Sequence, residues 1–303
     1  LRVGVTGSRG FIGTALVVAL RERGDQVVAF VRPGGAPVVG DAIRWDPARG
    51  LVDEGDLRRE GGLDAVVNLA GVGLAQSRWS AARRAEILSS RVATTTLLVE
   101  ALAARGSGLP FLASGSAIGF YGDRGDEEVD EATARGTGFL ADVCAAWESA
   151  AASAHGPPAA LLRSGLVLGA GGGALARQLP LFRAGLGGTL GDGRQWMSPI
   201  SLVDQVRAIQ WVIDRQLGGP VNLTGPAPVT NREFTRALAA ELRRPGLLRV
   251  PEFALAAVLG RQLSAELVLA SQRVIPRVLS DSGFRFDHPD AATELRAALA
   301  PRR

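Results

Sequence analysis

Val3-Gly4-Val5-Thr6-Gly7-Ser8-Arg9-Gly10-Phe11-Ile12-Gly13 is a short apolar run that feeds a Gly-x-x-Gly-x-x-Gly turn, followed by a helix-forming stretch at 15–23. Glycines at this spacing supply a tight turn, a backbone close enough to touch a pyrophosphate, and close helix–strand packing, with the first helix amides facing the anion. Spacing alone is weak evidence. A second buried strand at 26–31 completes a strand–turn–helix–strand unit and strengthens it. The expected ligand is a dinucleotide, held by Gly7, Ser8, Arg9, Gly10, Phe11, Ile12 and Gly13.

Outward from this unit, strand signals recur at 43–46, 65–69, 110–114 and 159–164, with helical spacing at 81–104 and 139–154. The alternation predicts an α/β fold, a mostly parallel sheet with helices on both faces. After Ser164 the chain turns Gly-rich, at 165–173 and 185–193, around a short helix at 174–184; this stretch reads as a mobile insertion beside the sheet. Ser201-Leu202-Val203-Asp204 and Thr230-Asn231-Arg232-Glu233 have the form of capping boxes, which assigns these residues to helix starts rather than to chemistry. From about 247, Pro251, Pro276 and Pro289 punctuate short helices and a last one spans 291–300. A smaller, mostly helical C-terminal domain on the substrate side is therefore expected. The cofactor domain takes 1–165, with 196–228 returning to it, and the substrate side takes 166–195 and 229–303.

With 303 residues the chain can bury a large core without a disulfide or metal staple, and the lone Cys144 makes no internal disulfide. No leader-like segment opens it and no apolar run reaches the ~18 residues of a membrane span, so a cytoplasmic protein with no membrane partner is expected. A pI near 10.6 would ordinarily prompt a search for a nucleic-acid surface. Yet the net charge is only +4, and all 34 basic residues are arginines, scattered without a long run. Arginine never titrates, so it lifts the pI without implying a basic patch, and no nucleic-acid partner is expected.

Arg32 stands at the end of the second strand, where the adenosine ribose is recognised. A carboxylate there would suit NAD, whereas an arginine neutralises the extra phosphate of NADP, with Arg9 as a second charge. NADP(H) is the expected cofactor. The bland alternative is an exposed arginine before Pro33-Gly34-Gly35.

Thr6–Gly13, Asn68-Leu69-Ala70-Gly71 and the run from Ser114 to Gly122 together resemble the extended short-chain dehydrogenase/reductase superfamily. Segments 90–98, 136–148, 193–209 and 220–234 are similar to its atypical epimerase branch, which has its own C-terminal domain, and the resemblance implies an NADP-type Rossmann fold, a doubly wound parallel sheet. The resemblance implies that Asn68, Ala70 and Gly71 line the cofactor, that Ser116 polarises a substrate oxygen, and that a small carbonyl or sugar-nucleotide-like substrate binds. It also implies a homodimer through the helices at 81–104 and 139–154.

The departure from that pattern is as informative. Superfamily members use a Tyr-x-x-x-Lys pair for proton exchange and ribose binding, but this chain has no lysine, and its one tyrosine, Tyr121, follows the strand that carries Ser114 and Ser116. The matching positions are Leu140 and Cys144, which cannot take those roles. Ser116 is either that oxygen-binding hydroxyl or a satisfier of turn backbone. Tyr121 either reaches the nicotinamide as an acid or packs at the pocket wall. Arg91 and Arg163 sit in apolar surroundings, so each holds a substrate or cofactor phosphate or closes an internal ion pair; Arg91 is grouped with the cofactor residues. The acidic run 126–131 is assigned to solvent.

With two histidines, His155 and His288, and one cysteine there is no metal-ligand spacing; Gly-x-Ser-x-Gly is missing around Ser116, and no Walker sequence can be written without lysine. Two functions remain: an NADP(H)-dependent oxidoreductase or epimerase with Ser116 and Tyr121 as catalytic residues, the proton being handled by Tyr121 or a bound water, and a catalytically silent NADP(H)-sensing module.

Overall fold

In the computed structural model, residues 1–34, 40–57, 62–104, 108–153 and 156–300 are described. Gly35, Ala154, His155 and 301–303 lie outside them. The main sheet is built from β1 (Arg2–Thr6), β2 (Gln26–Val31), β3 (Ala42–Asp46), β4 (Leu51–Val52), β5 (Ala65–Asn68), β6 (Phe111–Ala117), β7 (Ala159–Ser164) and β8 (Gly219–Leu223). The longer helices are α1 (Phe11–Glu22), α2 (Ala81–Ala103), α3 (Phe139–Ala151), α4 (Gly173–Arg183), α5 (Leu202–Arg215), α6 (Asn231–Leu242), α7 (Glu252–Leu259) and α8 (Ala291–Leu299).

The spatial order is β8-β7-β6-β5-β1-β2-β3-β4, parallel throughout except for the β3–β4 pair. The central strands read as continuous apolar runs because both faces are covered. On one face Leu16 and Leu20 of α1 and Val206, Ile209 and Val212 of α5 pack on Val3, Val5 and Val67. On the other, Leu98 and Leu102 of α2 and Ala151 of α3 pack on Val28, Val66 and Leu112. Chain order reverses between β1 and β5, which opens a crevice at their C-terminal ends, the place where such folds bind ligands. Segment 202–223 rejoins this unit through α5 and β8.

The Gly-rich stretch corrects the expectation of a mobile insertion. Leu175, Leu179 and Phe182 of α4 are buried against Phe234 and Leu238 of α6 and Leu295 of α8. Its glycines answer to packing: a Cβ on Gly165 would lie 2.3 Å from the Ser198 carbonyl oxygen, and one on Gly172 would lie 2.5 Å from the Phe11 ring. The α2–α3 pair, through which the resemblance implies dimerisation, carries the chain's own Leu259, Leu263 and Val268 against Ile87, Leu140 and Val143. Among the described residues no helix is long and apolar enough to cross a membrane, and no group of three metal-ligating side chains gathers.

Candidate functional site

The β1–α1 turn is closed by the Gly10 amide donating to the Gly7 carbonyl at 2.8 Å. Gly7 is left-handed, with φ +63°, and a Cβ there would sit 2.7 Å from the Leu69 carbonyl oxygen; one on Gly13 would sit 2.1 Å from the Gly7 oxygen. Only glycine lets turn, helix and the β5 loop approach so closely. No side chain caps the N-terminus of α1, so its first amides remain available to an anion. Ser8 and Ile12 are half-buried in the turn, while the Phe11 ring packs on Gly169 and Gly172. Arg9 and Arg32 are exposed, and neither forms a hydrogen bond or ion pair with another described residue.

Asn68 departs from the implied cofactor contact. Its side chain is fully buried: its Oδ1 accepts from Thr6 Oγ1 at 2.7 Å and its Nδ2 donates to Thr95 Oγ1 at 2.8 Å. Thr6 Oγ1 in turn accepts the Leu69 and Ala70 amides. Asn68 thus fastens the ends of β1 and β5 to α2 and sets the loop carrying Ala70 and Gly71. Thr95 stands level with the C-terminal end of β5, so Arg91, one turn earlier on α2, lies just beyond that end, with its guanidinium carbon 3.3 Å from where a Gly71 Cβ would be.

Beside this crevice runs a buried polar chain. Ser116, near the end of β6, donates from Oγ to Glu148 Oε1 at 2.7 Å, and Arg163 on the neighbouring strand grips both Glu148 oxygens, at 2.8 and 2.9 Å. Arg163 Nη1 also donates to the Tyr121 hydroxyl at 3.0 Å, which itself donates to Asn222 Oδ1 at 2.7 Å. Tyr121 is fully buried, and burial raises the pKa of its phenol although Arg163 and Asn222 oppose the rise. Tyr121 therefore lies inside the fold, and although Arg163 approaches its hydroxyl, desolvation decides the direction of the shift. Cys144 is likewise buried and is pushed up to about 11, first by desolvation and then by Glu148. Leu140 and Cys144 flank Gly119 and supply no titrating group at neutral pH.

The two arginines singled out by their apolar surroundings differ. Arg163 closes the internal ion pair with Glu148. Arg91 donates only to the backbone carbonyls of Ile87 and Val72 and lies over the Trp147 ring at 5.2 Å; no described carboxylate pairs with it, and burial lowers its pKa.

The sequence pattern of the NAD dependent epimerase/dehydratase family matches residues 3–224, and that of a domain of unknown function, DUF1731, matches 250–298. The chain belongs to the NAD dependent epimerase/dehydratase family. It is 45% identical to the epimerase family protein Mb2239 of Mycobacterium bovis over 94% of this chain and 93% of that one. A crystal structure of the human epimerase family protein SDR39U1 (isoform 2) with NADPH superposes with a TM-score of 0.87 at 32% identity, covering 99% of this chain and all of the other. A nucleoside-diphosphate sugar epimerase of Corynebacterium glutamicum superposes with a TM-score of 0.76 at 33% identity, covering 98% of this chain and 58% of that one.

Three carboxylates that no sequence motif singles out for this role also tie these elements together. Glu148 is the chief one; it follows Leu140 and Cys144 at four-residue spacing, so one helix stripe already pointed to it. Asp204 was assigned to a cap, and Ser201 does accept its amide, but its carboxylate accepts the Asp287 and His288 amides and fastens the C-terminal segment to α5. Glu266 reaches from that segment to the Leu140 amide at the start of α3, a contact that no local pattern announces.

Proposed function

We propose that this chain binds NADP(H) in the β1–β5 crevice and is an oxidoreductase or epimerase acting on a small carbonyl or sugar-nucleotide-like substrate. The carrying observation is the pair of unpartnered guanidinium groups, Arg9 and Arg32, beside an uncapped helix start. NADPH in the human relative supports the choice of cofactor, and the C. glutamicum epimerase supports the substrate class. Gly7, Ser8, Gly10, Phe11, Ile12, Gly13, Ala70 and Gly71 present backbone to the dinucleotide. Arg9 and Arg32 take the 2′-phosphate, Arg91 brings charge to the β5 side, and Asn68 acts through Thr6 as a positioning residue.

NADP(H), when bound, supplies the hydride donor or acceptor. Ser116 polarises the substrate oxygen: its O–H is oriented by Glu148 Oε1 at 2.7 Å, a carboxylate that Arg163 holds on both oxygens, which leaves the serine oxygen to accept the substrate O–H while a bound water exchanges the proton. A second reading, a silent NADP(H)-sensing module, is favoured by the burial of Tyr121 and Cys144, which leaves no tyrosine or thiolate for acid–base work.

A nicotinamide fluorescence titration with NADPH and NADH tests the cofactor half. NADPH binds more tightly in the parent, and Arg32→Ala erases the preference; equal affinities would overturn it. Bound NADPH is then offered carbonyl compounds and sugar nucleotides. Oxidation that Ser116→Ala slows by about a hundredfold supports this role of Ser116, whereas binding without any oxidation favours the sensor.

A further inference from the structure

Helix α7 inverts the usual pattern of a surface helix. Its inward side is apolar, with Leu255 buried and Leu259 packed beside Trp79 and Leu263. Its outward arc is apolar as well: Phe253, Ala254, Ala257 and Val258 fall on one side at helical spacing, and Phe253 is 77% and Val258 71% exposed. Just before it, Leu247 is 89% exposed and Leu248 stands half out of the short strand Leu248–Val250. That strand pairs with Gly188–Leu190, which joins the exposed Leu186 to the same region. Apolar side chains concentrated this way mark a contact surface.

The charges along this stretch are mostly of one sign. Between 243 and 261 stand Arg243, Arg244, Arg249 and Arg261 against a single acid, Glu252. All four arginines are exposed and none forms an ion pair among the described residues; Arg244 and Arg249 donate only to the Arg183 and Gly191 carbonyls. Arg78 donates to the Val258 and Ala257 carbonyls, holding the C-terminal end of the helix in place with its apolar arc outward.

We propose that α7 and the preceding 243–250 segment form a docking surface for an anionic lipid bilayer, on which the protein lies peripherally. Exposed apolar side chains on a short helix suit a deformable headgroup–acyl boundary, and the unpaired arginines match anionic headgroups. A second copy fits poorly, because a two-fold contact through this face would set the arginines of one protomer against those of its partner. The mode is interfacial, as no described helix is long and apolar enough to span.

The test is co-sedimentation of the full NADPH-loaded chain with vesicles of phosphatidylcholine alone and of phosphatidylcholine with phosphatidylglycerol. The parent pellets with the anionic vesicles, and added salt releases it. The double variant Phe253→Ser/Val258→Ser loses at least about tenfold in affinity, and Arg243→Gln/Arg244→Gln/Arg261→Gln loses roughly a hundredfold. All five positions are exposed, so melting and NADPH titration are expected to match the parent and to show that the fold and the cofactor site survive. Failure to pellet with anionic vesicles overturns the proposal. So does pelleting that the serine variant leaves unchanged, or a parent dimer in sedimentation velocity that the same variant abolishes, which would make the occupant a second copy.

Discussion

A guanidinium buried with a carboxylate and one buried without are chemically different objects, and this chain contains both. Arg163 is tied to Glu148 on both oxygens and is buried with it. Removing one partner of such a pair strands a charge, so Glu148→Gln is expected to cost about 3–5 kcal/mol in denaturant unfolding. A loss below about 1 kcal/mol would mean that the pair is no support of the β6–α3–β7 junction. Arg91 makes the opposite arrangement, a cation next to the crevice answered only by carbonyls. The sequence made both arginines conspicuous by their apolar neighbours but did not separate them. Separation depended on Glu148, which lies 57 positions from Arg91 and 15 from Arg163, and on strand register that places Ser116 opposite Arg163.

At the level of elements, local chemistry was the most legible. Thr230 accepts the Glu233 amide, and the Glu233 carboxylate accepts the Thr230 amide, so the capping box read from the sequence is complete at α6. Thr230→Ala is expected to lower stability by about 1 kcal/mol in the same unfolding measurement; an unchanged midpoint would show the cap to be redundant. At α5 only half of the motif forms, since Asp204 turns its carboxylate to the Asp287 and His288 amides. A local pattern cannot announce a partner more than eighty residues away. The same limit hid β8, whose Pro-Val-Asn-Leu core is too short to read as a strand until β7 offers it an edge. It also turned a packed Gly-rich stretch into an expected mobile one, because the Phe11 and Ser198 atoms that require those glycines lie far along the chain.

Across the whole molecule, Asp204 fastens the segment before the last helix to the Rossmann unit, and a carboxyl on that helix is held against its chemistry. Glu294 of α8 is buried, its Oε2 has no hydrogen-bond partner, and its Oε1 crowds Gly225. Desolvation first, then the neighbouring Asp204 and Asp290, push its carboxyl up to about 8 from an ordinary 4.5. A group whose folded pKa is raised keeps its proton in the native state after the unfolded chain has released it. Its contribution is therefore complete below pH 4.5 and is lost as pH rises to about 8. Glu294→Gln cannot ionise, so the parent should lose on the order of a few kcal/mol relative to the variant between pH 5 and 8. Thermal melts of both proteins across that range check it, and the window stays clear of Cys144, which acts only at higher pH. Parallel melting curves would mean that the folded protein admits the charge, by water or by movement of α8 away from Gly225. Diverging curves would mean that the C-terminal helix stays docked on the cofactor unit through a neutral carboxyl at pH 7.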